Sequence, residues 1–229
     1  MQISEMFKSC QGEGIHAGLP TVFVRLSGCN LYPNGCVWCD TKYAQGSNGQ
    51  KISVEGVVWR VEELLDGCRR VCLTGGEPLH QADELCDLVD RLKFRDLIVE
   101  VFTNATLRPP SFFFLVDSWA VDIKCPSSGV SDRCLTDPWL ETLRPCDLVK
   151  FVVSDSLDLY YVVNVLGRTK TNAQVALSPM ISDSPNILFG DVLMSQCRWL
   201  QTVWEFCVGH NLRYSFQTHK LVFGNKRGV

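Results

Sequence analysis

The chain has 229 residues, 46% of them hydrophobic and 21% charged, with a net charge of −3. This excludes a disordered chain and gives no basic excess for a nucleic-acid partner. No run approaches the ~18 apolar residues of a membrane span, and the first ten residues lack a signal-peptide pattern. The twelve cysteines are therefore expected as reduced thiols in the cytoplasm.

Predicted strands and helices alternate along the chain. Residues 21–26 (TVFVRL) read as a β-branched strand. Residues 53–65 read as a helix, with valines and leucines at spacings of three and four and Gly67 as its stop. A short strand is predicted at 71–73, a helix at 83–92 with Leu85, Leu88, Val89 and Leu92 on one face, and a strand at 97–102. A short apolar helix over 111–116 leads to a strand at 119–123. Residues 125–147 carry Pro126, Pro138 and Pro145 and read as loop with a helical turn or two. A strand at 148–153, a helix at 157–166 and a strand at 174–177 follow. The longest helix covers 191–208, with Leu193, Cys197, Leu200, Trp204, Cys207 and Val208 along its seam, before a last strand at 213–217. Cys68, Cys72, Cys86, Cys125, Cys134, Cys146, Cys197 and Cys207 are expected mostly as buried small hydrophobes. The pattern predicts one domain over 1–229, an α/β partial, open parallel β/α barrel of six or seven units.

The unusual polar residues follow the strands: the cysteine loop, Thr74-Gly-Gly-Glu-Pro78, Thr103-Asn104, Asp122-Ile-Lys124, Ser154-Asp155, Ser178-Pro-Met180 and Gln217-Thr-His-Lys220. Parallel α/β folds build their sites at these strand ends, so the loops should share one mouth. The cysteine loop is the sharpest of them. Cys29, Cys36 and Cys39 are enough to hold three corners of a four-iron cluster and leave one iron open. The bland reading is a zinc-binding module with a fourth ligand such as Cys10 or His16.

With the Gly-Gly-Glu turn, this loop resembles the radical S-adenosylmethionine superfamily. Gln11-Gly-Glu-Gly14, Phe23-Val-Arg-Leu26, Trp38-Cys-Asp-Thr41, Asp122-Ile-Lys124, Lys150-Phe-Val-Val153 and Ser215-Phe-Gln-Thr-His-Lys220 narrow the likeness to the 7-carboxy-7-deazaguanine synthase family. Two segments depart from the pattern. The gap from Cys29 to Cys36 holds six residues rather than three. The third strand ends Val101-Phe-Thr-Asn-Ala105, without the family's acidic and glycine positions.

The resemblance implies a 4Fe-4S cluster on Cys29, Cys36 and Cys39, and S-adenosyl-L-methionine on Gly75, Gly76, Glu77, Thr103, Asn104, Lys124 and Ser127. It implies a pterin, 6-carboxy-5,6,7,8-tetrahydropterin, held by Gln11, Glu13, Arg25, His219 and Lys220. Charge-assisted bonds from Arg25, and from His219 if protonated, would hold its oxygens. Mg2+ would sit on Thr41 with Asp40 in support. Expected partners are an electron donor such as flavodoxin or ferredoxin and a second copy of the chain in a homodimer; Phe112-Phe-Phe114 would suit such an interface, and a core helix accounts for it equally well. A glycyl-radical-enzyme activase would share the cluster loop and the Gly-Gly-Glu turn, yet gives no account of Gln11-Gly-Glu-Gly14 or Gln217-Thr-His-Lys220.

Overall fold

A computed structural model describes residues 1–181, 191–224 and 226–229; over 191–196 it describes the helix but not the side chains. One nine-stranded sheet runs through it, in the order β3-β1-β2-β4-β5-β6-β7-β8-β9. Seven strands are parallel: β2 (Pro20–Leu26), β4 (Arg70–Gly75), β5 (Ile98–Thr103), β6 (Ser118–Asp122), β7 (Leu148–Val153), β8 (Gln174–Pro179) and β9 (Arg213–Tyr214). Among the described residues the outermost strands at both ends pair on one side only, which leaves the barrel open, as the alternation of elements predicts.

The other two strands are a finding the sequence did not announce. β1 (Gln2–Cys10) pairs antiparallel with β2, and the two-residue β3 (Gln50–Lys51) pairs antiparallel with β1. Gln11-Gly-Glu-Gly14 therefore lies between two paired strands. β1 reads QISEMFKSC, and most of it is half-buried. With one side of the strand facing the polar cleft, the apolar alternation that signals a strand is blurred.

The helices are α1 (Val54–Leu65), α2 (Ala82–Lys93), α3 (Thr136–Thr142), α4 (Ser156–Arg168), α5 (Asp191–His210) and α6 (Thr218–Phe223). Ser53 caps α1 by accepting from Gly56 N at 3.1 Å, and Asp66 ends it in the left-handed region. α2 carries Asp83 and Glu84 in its first turn and Arg91 and Lys93 in its last, matching the helix dipole. Asp155 caps α4.

One residue in two along each parallel strand faces the helices. Val22, Val24, Leu26, Val71, Leu73, Val99, Val101, Trp119, Val121, Val149, Phe151, Val153 and Leu177 pack on Val57, Val58, Val61, Leu85, Leu88, Val162 and Val203. The alternate residues face into the barrel, where the apolar cluster is small: Ala120, Leu148 and Ala176, with Ile15 and Phe102. The side facing the helices supplies the stability and leaves the interior for polar groups.

Several elements correct the sequence reading. Residues 111–116 form a single 3-10 turn at Phe113–Leu115, not a helix. Phe112 and Phe113 belong to the core, Phe113 stacked on Trp119 at 5.5 Å, so of that run Phe114 alone is largely exposed. On α5 the buried seam runs through Val203 and Cys207, whereas Trp204 and Val208 are exposed and Trp204 leans on Tyr214. Leu193 lies outside the described side chains. Of the structural cysteines, Cys72, Cys125 and Cys207 are buried, while Cys146 is exposed. The last strand stops at Tyr214, and Gln217-Thr-His-Lys220 enters α6 instead. Among the described residues no helix is long and apolar enough to cross a membrane.

Candidate active site

Six of the seven strand-end loops meet in one cleft of about 230 Å³ at the carboxyl mouth of the barrel; Ser154-Asp155 does not line it, because Asp155 caps α4 and Ser154 N donates to Asp158. Cys29, Cys36 and Cys39 line it together with Gly75, Gly76, Glu77, Thr103, Asn104, Lys124, Thr41 and all five expected pterin contacts. Of the two alternative zinc ligands, Cys10 lines the cleft as well, whereas His16 does not and pairs with Glu100 at 3.0 Å.

The cysteine loop is seated by backbone. Gly28 N donates to Ala44 O, Cys29 N to Gln45 O, and Glu77 N to Gly28 O. Gly75 has φ +147, and a side chain on it would overlap the Leu26 backbone; one on Gly76 would overlap the Gly28 carbonyl. The two glycines thus let the second strand-end loop lie directly on the cluster loop. Burial raises the Cys29 and Cys36 thiols above their ordinary value. Lys124 opposes that rise at both. The Lys124 ammonium lies over Trp38, 5.3 Å from the ring centroid, and donates to Asp122 Oδ2 at 2.8 Å. Burial acts to lower its pKa, but Asp122 and Cys36 outweigh it and raise it. A buried cation beside three thiols suits a centre that needs thiolates. Among the described residues the second Asp122 oxygen is buried and accepts no hydrogen bond. This donor set fits a 4Fe-4S cluster, with cleft wall left over for a second group.

Glu77 reaches the cleft, but its oxygens are engaged. Oε1 accepts from Leu79 N and Thr103 Oγ1, and Oε2 from Asn104 N at 2.7 Å. It binds the second loop to the third, and burial raises its pKa despite those three donors. Asn104 Oδ1 accepts from Thr106 while Nδ2 points at Asn30 and the Cys29 sulfur. Ser127 is a correction: it is not among the cleft-lining residues. Its hydroxyl donates to the buried Asp158 at 2.6 Å and accepts from Trp38, so it supports the cleft wall. Thr41 lines the cleft, 3.6 Å from the Cys39 sulfur. Among the described residues no three His, Cys, Asp or Glu side chains are grouped as a single-ion site requires.

The pterin-side residues converge because the C-terminal segment docks on the loop between β1 and β2. Thr218 donates to the Gly12 carbonyl through both its amide and its hydroxyl, and Gly14 N donates to Ser215 Oγ. Glu13 is paired with Lys150 from the middle of β7, and Gln217 Nε2 lies at 3.5 Å. Burial acts to raise the Glu13 pKa, but the Lys150 ammonium, helped by His219, overrides it and holds the carboxyl below its ordinary value. Arg25 Nε donates to Glu5 Oε1 at 2.7 Å, so the guanidinium arrives oriented. Burial lowers the His219 pKa more than Glu13 and Asp40 raise it. Burial therefore favours the uncharged imidazole over the protonated donor. Lys220 reaches Asp40 at 3.3 Å and ties α6 to the cluster loop.

Lys150, Gln217, Glu5 and Asp122 support the site in roles not expected from the sequence. Lys150 carried a usable signal: it is one charge inside Leu148-Val-Lys-Phe-Val-Val153, a strand buried throughout. Glu5 carried none, because its strand was not recognised.

Residues 10–108 match the family model described as a 4Fe-4S single cluster domain. The chain is 40% identical over 180 residues to the 7-carboxy-7-deazaguanine synthase of Methanospirillum hungatei, covering 79% of this chain and 73% of that one. It is 34% identical to that of Thermoplasma acidophilum over the full length of both. A crystal structure of QueE from Escherichia coli shares the fold, with a TM-score of 0.65 over 95% of this chain and 94% of that one at 24% identity. An open β/α barrel that gathers three cysteines and a Gly-Gly-Glu turn at its carboxyl mouth is the framework of a radical S-adenosylmethionine enzyme. The full-length likeness carries the assignment further: the chain belongs to the 7-carboxy-7-deazaguanine synthase family.

Proposed function

We propose that the chain converts 6-carboxy-5,6,7,8-tetrahydropterin to 7-carboxy-7-deazaguanine with loss of ammonia. The observation that carries this is the shared cleft, with three thiols on one wall and the Glu13–Lys150 pair on the other. When bound, the cluster and S-adenosyl-L-methionine supply a 5′-deoxyadenosyl radical that takes a hydrogen atom from the substrate.

Cys29, Cys36 and Cys39 hold the cluster. The bare backbone at Gly75 and Gly76 lets the cofactor's amino group approach, and Glu77 keeps that loop joined to Thr103 and Asn104. Asn104 and Lys124 border the cofactor side, with Lys124 held in place by Asp122. Glu13, held ionised by Lys150, accepts from the N–H edge of the pterin. Arg25, oriented by Glu5, donates to substrate oxygens with the guanidinium nitrogens that Glu5 leaves free. His219 lines the same cleft beside Glu13, and Lys220 fixes Asp40 beside Thr41. Thr41, whose side chain lines the cleft, would hold Mg2+ as its one protein ligand, a small protein share that suits an ion retaining its waters.

A flavodoxin- or ferredoxin-type donor supplies the electron, and the working form is a homodimer. Exposed Leu157, Tyr160 and Val163 along α4 support an apolar contact surface.

The test is anaerobic reconstitution with iron and sulfide, followed by S-adenosyl-L-methionine, dithionite, magnesium and the pterin. Mass spectrometry should find a species lighter than the substrate by one ammonia, absent when the three cysteines are alanine. 5′-Deoxyadenosine without that product would favour the activase reading, and zinc in place of iron would favour the binding module.

A further inference from the structure

Glu100 lies inside the barrel on the inward side of β5, 5% exposed, and none of the roles above uses it. Both of its oxygens are spent on one loop. Oε2 accepts from Gln11 Nε2 at 2.8 Å, and Oε1 meets His16 Nδ1 at 3.0 Å. That loop is also closed on itself, by Gln11 N to Leu19 O at 2.9 Å and Gly18 N to Gln11 O at 2.8 Å. The backbone at Gln11 is thus fixed without Glu100. What Glu100 decides is the direction of the Gln11 side chain.

A primary amide donates at one end and accepts at the other, and the two ends have nearly the same shape. A carboxylate accepts and does not donate, so Gln11 must turn its NH2 toward Glu100. Its carbonyl then points the other way. Gln11 lines the cleft two residues from Glu13, and among the described residues its Oε1 accepts no hydrogen bond.

We propose that Glu100 is a positioning residue that locks the Gln11 amide so that its carbonyl faces the substrate. The proposal rests on the pterin reading of the cleft and adds to it. Gln11 Oε1 and the Glu13 carboxylate stand as two neighbouring acceptors, matched to the N–H donors of an aminopyrimidinone edge. An amide free to turn would present N–H against N–H for part of the time. The third strand lacks the family's acid at Phe102. This chain carries one a single pleat deeper, on the same side of the strand, where it reaches Gln11 rather than the mouth.

The experiment uses the reconstituted full chain with Glu100→Met, which keeps the volume and removes the acceptor, Glu100→Gln, Gln11→Ala and the Gln11→Ala/Glu100→Met double variant. Iron content, 5′-deoxyadenosine release without substrate, and kcat and KM for the pterin are measured. Glu100→Met should raise KM about tenfold, the scale of losing one buried charge-assisted bond, with kcat and iron content held. Glu100→Gln should stay within about threefold, because its carbonyl still accepts from Gln11. In the Gln11→Ala background Glu100→Met should add less than about twofold, since a residue acting through another has nothing left to act on. An equal KM penalty in both backgrounds overturns the proposal, as does loss of iron or of uncoupled 5′-deoxyadenosine in either Glu100 variant; Glu100 would then hold the loop or the fold. A wild-type chain that binds iron yet forms no product from the pterin removes the parent reading, and the proposal with it.

Discussion

The two faces of the parallel strands are made from the same segments and do opposite work. On β7, Val149, Phe151 and Val153 point to the helices and are buried among aliphatic neighbours, while Lys150 points inward to Glu13. On β5, Val99 and Val101 face out and Glu100 faces in. A period of two along each strand is enough to separate stability from chemistry. The lesson is that the interior can carry charge at low cost to folding, because the helix-facing side already forms a continuous core. The interior charges are tolerable for a second reason: they come in pairs, Glu13 with Lys150, Asp122 with Lys124, Arg25 with Glu5.

That division can be broken from either side. The largest effect should come from the mouth: alanine at Cys29, Cys36 or Cys39 should abolish iron binding and product while circular dichroism shows an intact fold. Next is the helix-facing side. Phe151→Ala, at a fully buried position, should cost about 3–5 kcal/mol, read in chemical denaturation, with normal iron content in whatever folds. A mutant that kept its stability would show that the core is not continuous there.

Lys150→Met leaves Glu13 unpaired inside the barrel and should cost about 3 kcal/mol at neutral pH. Adding Glu13→Gln should recover most of that stability but not turnover. The same pair sets an acid limit. The folded Glu13 pKa lies below its ordinary value of 4.5, so its contribution is full above that value and is lost as pH falls through the lower folded one. Stability plotted against pH should therefore flatten at its acid end in Glu13→Gln; an unchanged slope would mean that the pairing does not stabilise.

Cluster loading should show a gentler dependence. Cys29 and Cys36 hold their protons above the usual thiol range, and ligation requires thiolate. Reconstitution in the absence of Lys124 (Lys124→Met) should need higher pH than wild type, and removing iron with a chelator should be faster at lower pH. The smallest effect belongs to the outer surface, where Arg60→Ala breaks an exposed pair with Glu63 and should change stability by no more than about 0.5 kcal/mol.

Much of this site was legible because the strand-end rule needs only order along the chain. Once strands alternate with helices, the loops that follow them must share a mouth, and the cysteines, Gly75, Gly76, Glu77, Asn104 and Lys124 do meet there. Glu13 was legible from its motif. Lys150 could have been read from a lone charge in an apolar strand; Glu100, in the half-polar IVEVFT, is less distinct. β1 was not legible, because it lies against the polar interior and carries Glu5 and Lys8 among its few apolar residues. The turn at Phe113–Leu115 was misread because a short apolar run does not reveal whether it is helix or core loop.

The sequence alone determined the donor types, their order, and the side of each strand they occupy, since spacing and parity are properties of the chain. The tertiary structure decided the pairings. Which carboxylate meets Lys150, whether Glu77 faces ligand or loop, which way burial shifts His219, and which end of Gln11 meets the cleft all depend on distance and burial. Those quantities arise only when segments far apart in the chain are packed together, as Glu13 with Lys150 and Gln11 with Glu100 are here.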